Sequence, residues 1–372
     1  MVNASAPAVA QRKPRRRRTV KPGSTDHRSA AEIVYRLLTY PELDYPDFAT
    51  TARPPERLQP DKENSLEFIH NLIHNWTGCK YNGHMADVPV AGFDPIFWLH
   101  YCNVDRLLAI WQELNPNKWW TKVPRDQQDA AALPEYITPD TPLRPFHMDR
   151  SGTTWTSNVA RQFMHLGYTY PELQPWSPEY KHNREKYIKN IRSIINEKYG
   201  INRKHPKRLA TSQWGEGIES NDTISVRYSK FGLGGHPFNI SIHLAPGDLT
   251  LADPERDHVA DVYNFSSPST VNGQQVCGKL CQVGGCESSL EEEDVEPLLK
   301  RLYWRITKYG VQVPRSEMEK IKIDVQVSRS HVKHYEDSEM TSRFRHFRFM
   351  PSPSGGPSGA LDPVLEVEPT AA

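Results

Sequence analysis

Phe93-Asp94-Pro95-Ile96-Phe97-Trp98-Leu99-His100-Tyr101-Cys102-Asn103-Val104-Asp105-Arg106 is the stretch that decides how this chain folds. Asp94 can cap a helix, and Pro95 fits its first turn, where a missing N–H costs nothing. A helix is predicted from Ile96 to about Leu114, stopped by Asn115-Pro116. Phe97, Leu99, Val104, Leu107, Leu108 and Trp111 give it a wide apolar surface. Upstream, Asn64-Ser65-Leu66-Glu67 reads as another helix start, with Asn64 as cap and Glu67 reaching back from three positions on. That helix carries His70 and His74 and continues to Trp76, with Gly78 past its end. At i and i+4 the two imidazoles project from one face about a turn apart, so their neutral nitrogens can bind one metal. Imidazole suits copper, zinc, iron and nickel alike, so the pair alone does not choose the ion. Two ordinary histidines are the commoner explanation of an isolated HxxxH.

Working outward, Ala31 to Leu38 is a short amphipathic helix with Ile33, Leu37 and Leu38 on one side, and a loop rich in Pro, Asp and Tyr follows to Glu63. A Pro-rich linker spans about Val123 to Pro145, and a polar helix covers about Pro178 to Tyr199. From about Asp222 the texture becomes alternating. Ile224-Val226-Tyr228 and Phe238-Ile240-Ile242 flank a Gly232–Pro237 turn region and read as a hairpin. Asp261–Phe265, Leu302–Ile306 and Ile321–Val327 continue the strand pattern towards an antiparallel sandwich. The organisation expected is a basic arm over 1–28, a helical domain over 29–200, a β-domain over 222–330 and a Pro/Gly/Ser-rich tail over 350–372, both ends reading as disordered.

The 372 residues carry a formal net charge of only +1, so no overall field draws the chain to nucleic acid or acidic membranes. No apolar run approaches the roughly 18 residues that a bilayer span needs. No apolar segment follows the N-terminal basic stretch, and the cysteine count of 5 suits no disulfide scaffold, so a cytoplasmic location is expected. Arg12-Lys13-Pro14-Arg15-Arg16-Arg17-Arg18 reads as a solvated arm in preference to a nuclear-import or nucleic-acid patch.

The Phe93–Arg106 stretch resembles the second copper-site signature of tyrosinases, catechol oxidases and haemocyanins. Asn64–Gly78 resembles the same family's helix bearing the first two ligands of that site, and Gly83-His84-Met85 the connection between them. Val34–Leu38, Asp47-Phe48-Ala49, Thr141–Phe146 and Gly167–Leu173 resemble flanking segments of fungal tyrosinases, and Val226 through Val327 the fungal C-terminal β-domain. The resemblance implies an α+β protein: a partial tyrosinase-type helical bundle, with the second copper-site helix pair, followed by a C-terminal antiparallel β-sandwich. It implies copper as cofactor, a phenolic or catecholic small molecule and dioxygen as reactants, hydroxylation of monophenols and oxidation of o-diphenols, and a setting in pigment or secondary-metabolite synthesis. Carried onto this sequence, His70 and His74 are copper ligands and Tyr101 holds the third ligand position. Glu67 and Asn71 hold a water that helps deprotonate substrate, against the alternatives of a helix cap and a solvated amide. Phe97 matches the aromatic gate, against the alternative of a core phenylalanine, and Phe265 is a candidate plug that the β-domain inserts.

This chain departs from the family in two ways. The expected His-His pair reads His100-Tyr101, and a phenol with a pKa near 10 binds copper only by losing a proton. A one-residue shift rotates a side chain about 100° around a helix, so His100 is not expected to substitute. Upstream of Asn64 only His27 is present, so the first copper site is expected to be absent and at most one copper bound. An apolar stripe around Leu99, Leu107 and Trp111 should then be partly uncovered, favouring association with another copy or an intact paralogue. Catalysis therefore competes with a non-catalytic relic and with a copper-binding partner of a paralogue. Cys277, Cys281 and Cys286 resemble a copper-loading CxxC with one residue too many, against a reading as exposed loop thiols.

Overall fold

The structure is a computed structural model that describes residues 30–40, 43–51, 65–78, 83–124, 136–200, 218–245, 252–267, 279–283, 301–333, 335 and 339–349. The basic arm, Asn64, Cys79, Cys277, Cys286 and the C-terminal tail lie outside these residues.

The helical part contains α1 (Ala30–Thr39), α2 (Tyr45–Ala49), α3 (Leu66–Gly78), α4 (Pro95–Leu114), the single turn α5 (Ser157–Ala160) and α6 (Arg184–Tyr199). Asp94 caps α4 as expected, its Oδ1 accepting from Ile96 N–H at 3.1 Å. Ser65 caps α3, accepting from Phe68 N–H at 3.1 Å. The short α2 was not foreseen. Asp44 caps it, and Phe48 drives it inward, lying fully buried and stacked on Trp111 at 4.2 Å. The expected exposure of Leu107 and Trp111 is corrected: both are 0% exposed, because Tyr45 and Phe48 of α2 pack on Trp111 and α1 and α6 also pack against α4. The outer side of its first half stays bare, with Trp98 at 64% and Leu99 at 68% exposure, as does Phe93 just before the helix at 79%. No helix among the described residues is long and apolar enough to cross a membrane.

After a two-residue ribbon, β1 (Val123–Pro124) with β2 (Tyr136–Ile137), the β-domain begins. Its strands are β3 (Ile218–Tyr228), β4 (Phe238–Leu244), β5 (His258–Asn264), β6 (Lys279–Val283), β7 (Leu302–Lys308), β8 (Val311–Gln312), β9 (Asp324–Lys333) and β10 (Arg343–Phe349). They form two open antiparallel sheets, ordered β10-β9-β3-β6 and β5-β4-β7-β8. The predicted β3–β4 hairpin is corrected, since the two strands belong to different sheets. The connection turns at Gly234 and Gly235, at φ +66° and +81°, and carries the chain across the core, where Tyr228 and Phe238 meet edge to face at 5.6 Å. Ile321 lies in a 3-10 turn ending at Lys322 (φ +50°), so that strand begins only at Asp324. Cys281 sits within β6, paired in register with Val226, and not in a loop. Ile240, Ile242 and Val262 of one sheet and Val226 and Val327 of the other belong to one continuous core with Leu37, Leu72 and Leu107 of the helices.

Candidate metal centre

Three histidines converge between α3 and α4. The ligand atoms of His70, His74 and His100 lie within 4.8 Å of one another, the one such group of His, Cys, Asp or Glu found among the described residues. His74 Nδ1 lies 2.6 Å from the Met85 carbonyl, which can only accept, so Nδ1 carries the proton and Nε2 offers a lone pair. His70 Nδ1 faces Asn71 Oδ1 at 2.9 Å and is set the same way. His100 is hydrogen-bonded to the His70 backbone, and its Nε2 is buried without a partner. The Nε2 atoms of His70 and His74 face each other at 3.1 Å. Three ring nitrogens drawn together in this way, with the Tyr101 hydroxyl beside the His70 one, make an arrangement that a cation would complete.

Burial lowers the pKa of His74 to about 4, an effect the Met85 carbonyl opposes and the His70 ring adds to. Burial first, then the neighbouring His70 and His74, lowers His100 to about 3. Both rings are thus neutral near pH 7 and ready to coordinate without shedding a proton. A neutral three-imidazole set suits copper. The residues present fit that ion, which His70, His74 and His100 would hold.

The expectation that His100 could not reach the pair is corrected. Positions 97, 100, 101 and 104 form one stripe of α4, and residues 100 and 101 straddle its centre line. His100 points inward, 6% exposed, with its ring 5.1 Å from that of His70 and 5.0 Å from that of His74. Tyr101 flanks the group from the open side, its hydroxyl 2.9 Å from His70 Nε2 and its pKa raised by burial. The stripe spacing was the available signal for His100, because the contact face of a helix is wider than one side chain and a 100° rotation does not leave it.

The other candidates fall around this group. Phe97 packs 4.4 Å from the Tyr101 ring and 6.2 Å from His74. Asn71 orients His70, as above. The Glu67 carboxylate accepts from Thr50 Oγ1 at 2.6 Å and Thr51 N–H at 2.9 Å, which ties α3 to the end of α2. Asp105, four positions past Tyr101, accepts from the Tyr168 and Tyr170 hydroxyls at 2.6 Å each, while Arg106 pairs with Glu172. Phe265, just past β5, stacks on His74 at 3.9 Å with 19° between planes and lies 5.6 Å from His70. The β-domain is held there by Tyr263, whose hydroxyl donates to the Ala86 carbonyl at 2.6 Å, a contact that no sequence pattern announced.

Such a site, formed by two helices and covered by an aromatic ring from a β-sandwich, defines a class of helical metalloproteins with an appended β-domain. The pattern of the common central domain of tyrosinase matches residues 3–114, and that of the tyrosinase C-terminal domain matches residues 223–325. A tyrosinase of Aspergillus fumigatus is 32% identical over 280 residues, covering 70% of this chain and 39% of that protein. A tyrosinase of Neurospora crassa is 40% identical over 163 residues, covering 43% of this chain and 23% of that protein. A structure of recombinant mushroom tyrosinase superposes with a TM-score of 0.64 at 22% identity, covering 86% of this chain and 60% of that one, a likeness of fold. The chain belongs to the tyrosinase family. It spans about two fifths of the first of these relatives, at 39% of its length.

Proposed function

We propose that this chain is a copper protein of the tyrosinase type whose His70–His74–His100 group binds one copper ion, and whose chemistry is directed at small phenols and dioxygen. The observation carrying this reading is the convergence of three Nε2 lone pairs, each fixed by a partner on its own Nδ1 or by burial. Copper, when bound, would supply dioxygen binding and electron transfer. The protein's own contribution is orientation: Asn71 and Met85 set two tautomers, and Phe97 forms a wall beside the rings. Phe265 excludes water and holds the site closed to a phenol until the segment after β5 moves aside. A water held by Glu67 would require that carboxylate to leave Thr50 and Thr51.

Oxidising a catechol to a quinone removes two electrons, and the family uses two coppers for it. One three-imidazole group among the described residues favours a second reading, a copper-binding protein that does not itself turn over or that works beside an intact paralogue. Copper content and catechol oxidation measured on one copper-loaded preparation separate the two. Quinone formation by the copper-loaded chain establishes the enzyme; one copper per chain without quinone establishes the binding protein; no copper overturns both.

A further inference from the structure

We propose that Tyr101 is a fourth donor to the metal, making this a single-ion site of three imidazole nitrogens and one phenolate oxygen that selects copper(II). The inference rests on the copper reading above and names the donor set and oxidation state of the same site. Two donors each about 2.0 Å from one ion lie about 2.8–3.3 Å apart in square or tetrahedral arrangements. His70 Nε2 and His74 Nε2 are 3.1 Å apart, and Tyr101 Oη is 2.9 Å from His70 Nε2. The phenol oxygen therefore stands at ligand spacing from His70 Nε2, which is itself at ligand spacing from His74 Nε2.

It also stands on the metal's side of His70. That ring's other nitrogen faces Asn71, so the atom meeting Tyr101 is the one whose lone pair points at the ion. Without metal, the Tyr101 hydroxyl donates into that lone pair. Binding replaces the shared proton with the cation: the O–H bond breaks, a metal–oxygen bond forms, the proton leaves to solvent, and copper keeps its oxidation state. The ring is braced in place, 5.2 Å edge-on to His70 and 4.4 Å from Phe97, so little ordering remains for binding to supply. One phenolate lowers the buried charge of a copper(II) centre from +2 to +1, which eases its burial beneath Phe265. The same hard oxygen gives nothing comparable to copper(I), which prefers softer sulfur donors.

The test uses the full chain loaded with copper(II), with metal content, visible absorption and electron paramagnetic resonance read together. The expected result is one copper per chain, an isolated copper(II) resonance and a phenolate-to-copper charge-transfer band. Tyr101→Phe and Tyr101→His should each retain copper and lose the band. Bound copper without the band in the unmodified chain, or a band that persists in Tyr101→Phe, overturns the role of Tyr101 and leaves the copper reading standing. Failure to bind copper overturns both.

Discussion

Replacing Phe265 by alanine should open the metal centre to small ligands. Phe265 stacks on His74 at 3.9 Å and 19°, and ring pairs of this kind contribute about 0.5–1.5 kcal/mol. The ring is half-buried. Withdrawing roughly 100 Å² of its apolar surface from water contributes a further ~2.5 kcal/mol at about 25 cal/mol per Å². The closed arrangement is thus favoured by about 3 kcal/mol, and an incoming ligand's apparent affinity is reduced by about a hundredfold. The Tyr263–Ala86 hydrogen bond keeps the β-domain docked in the variant, so the gain should come from the pocket and not from domain release. The assay is a titration of the copper-loaded protein with azide, followed by visible absorption, on both forms. A dissociation constant lowered about 30- to 100-fold in Phe265→Ala is expected, with the thermal midpoint falling by a few degrees. A change below about threefold, with the fold intact by circular dichroism, would refute the reasoning that this ring guards the site.

Other consequences can be checked separately. Glu67→Ala should destabilise the chain by about 2 kcal/mol, because Thr51 N–H loses a charged acceptor, while copper affinity stays near that of the parent; denaturant midpoints and metal titration read the two effects. Phe48→Ala should cost about 3–5 kcal/mol by opening a cavity against Trp111, measurable by thermal unfolding. His243 is buried on Tyr303 with both ring nitrogens unpartnered, and burial, then His258 and Arg305, lower its pKa to about 4. The unfolded chain protonates this ring near pH 6.5 while the folded one does not, so its contribution is full above 6.5 and is lost as pH falls towards 4. His243→Phe should flatten the stability-versus-pH curve in that window by about 1.4 kcal/mol per pH unit. Trp98→Glu with Leu99→Glu should raise the monomer fraction in light scattering without changing copper content, since both side chains project from the bare half of α4.

The helix pair was legible because its signals are local. Asp94-Pro95 and the His70/His74 spacing each act within a turn or two, and α4 starts and stops within a residue of where those residues place it. Strand content was legible for the same reason, through alternation along Phe238–Ile242 and Leu302–Ile306. What failed was pairing across distance. Nothing near Gly234 tells whether the chain turns back beside β3 or crosses to the opposite sheet; that is decided by β9, which occupies the β3 edge. The missed α2 is a packing product, a five-residue helix that exists because Phe48 has Trp111 to stack on. At the site, the residue types were readable, and the roles were separated by geometry. Glu67 turned to Thr50, and Asp105 met two tyrosines that lie more than sixty residues later in the chain. His100 shows the limit of helical-wheel reasoning, since a facing helix accepts side chains from both flanks of a stripe.

A calorimetric copper(II) titration of the full chain beside its His100→Ala variant tests the three-imidazole site most directly. One copper per parent chain is predicted, with affinity lost by more than about a hundredfold in the variant, beyond the roughly 10–100-fold that loss of a supporting residue costs. Equal affinity in the two proteins, or two coppers bound by the parent chain, would contradict a single site built from His70, His74 and His100.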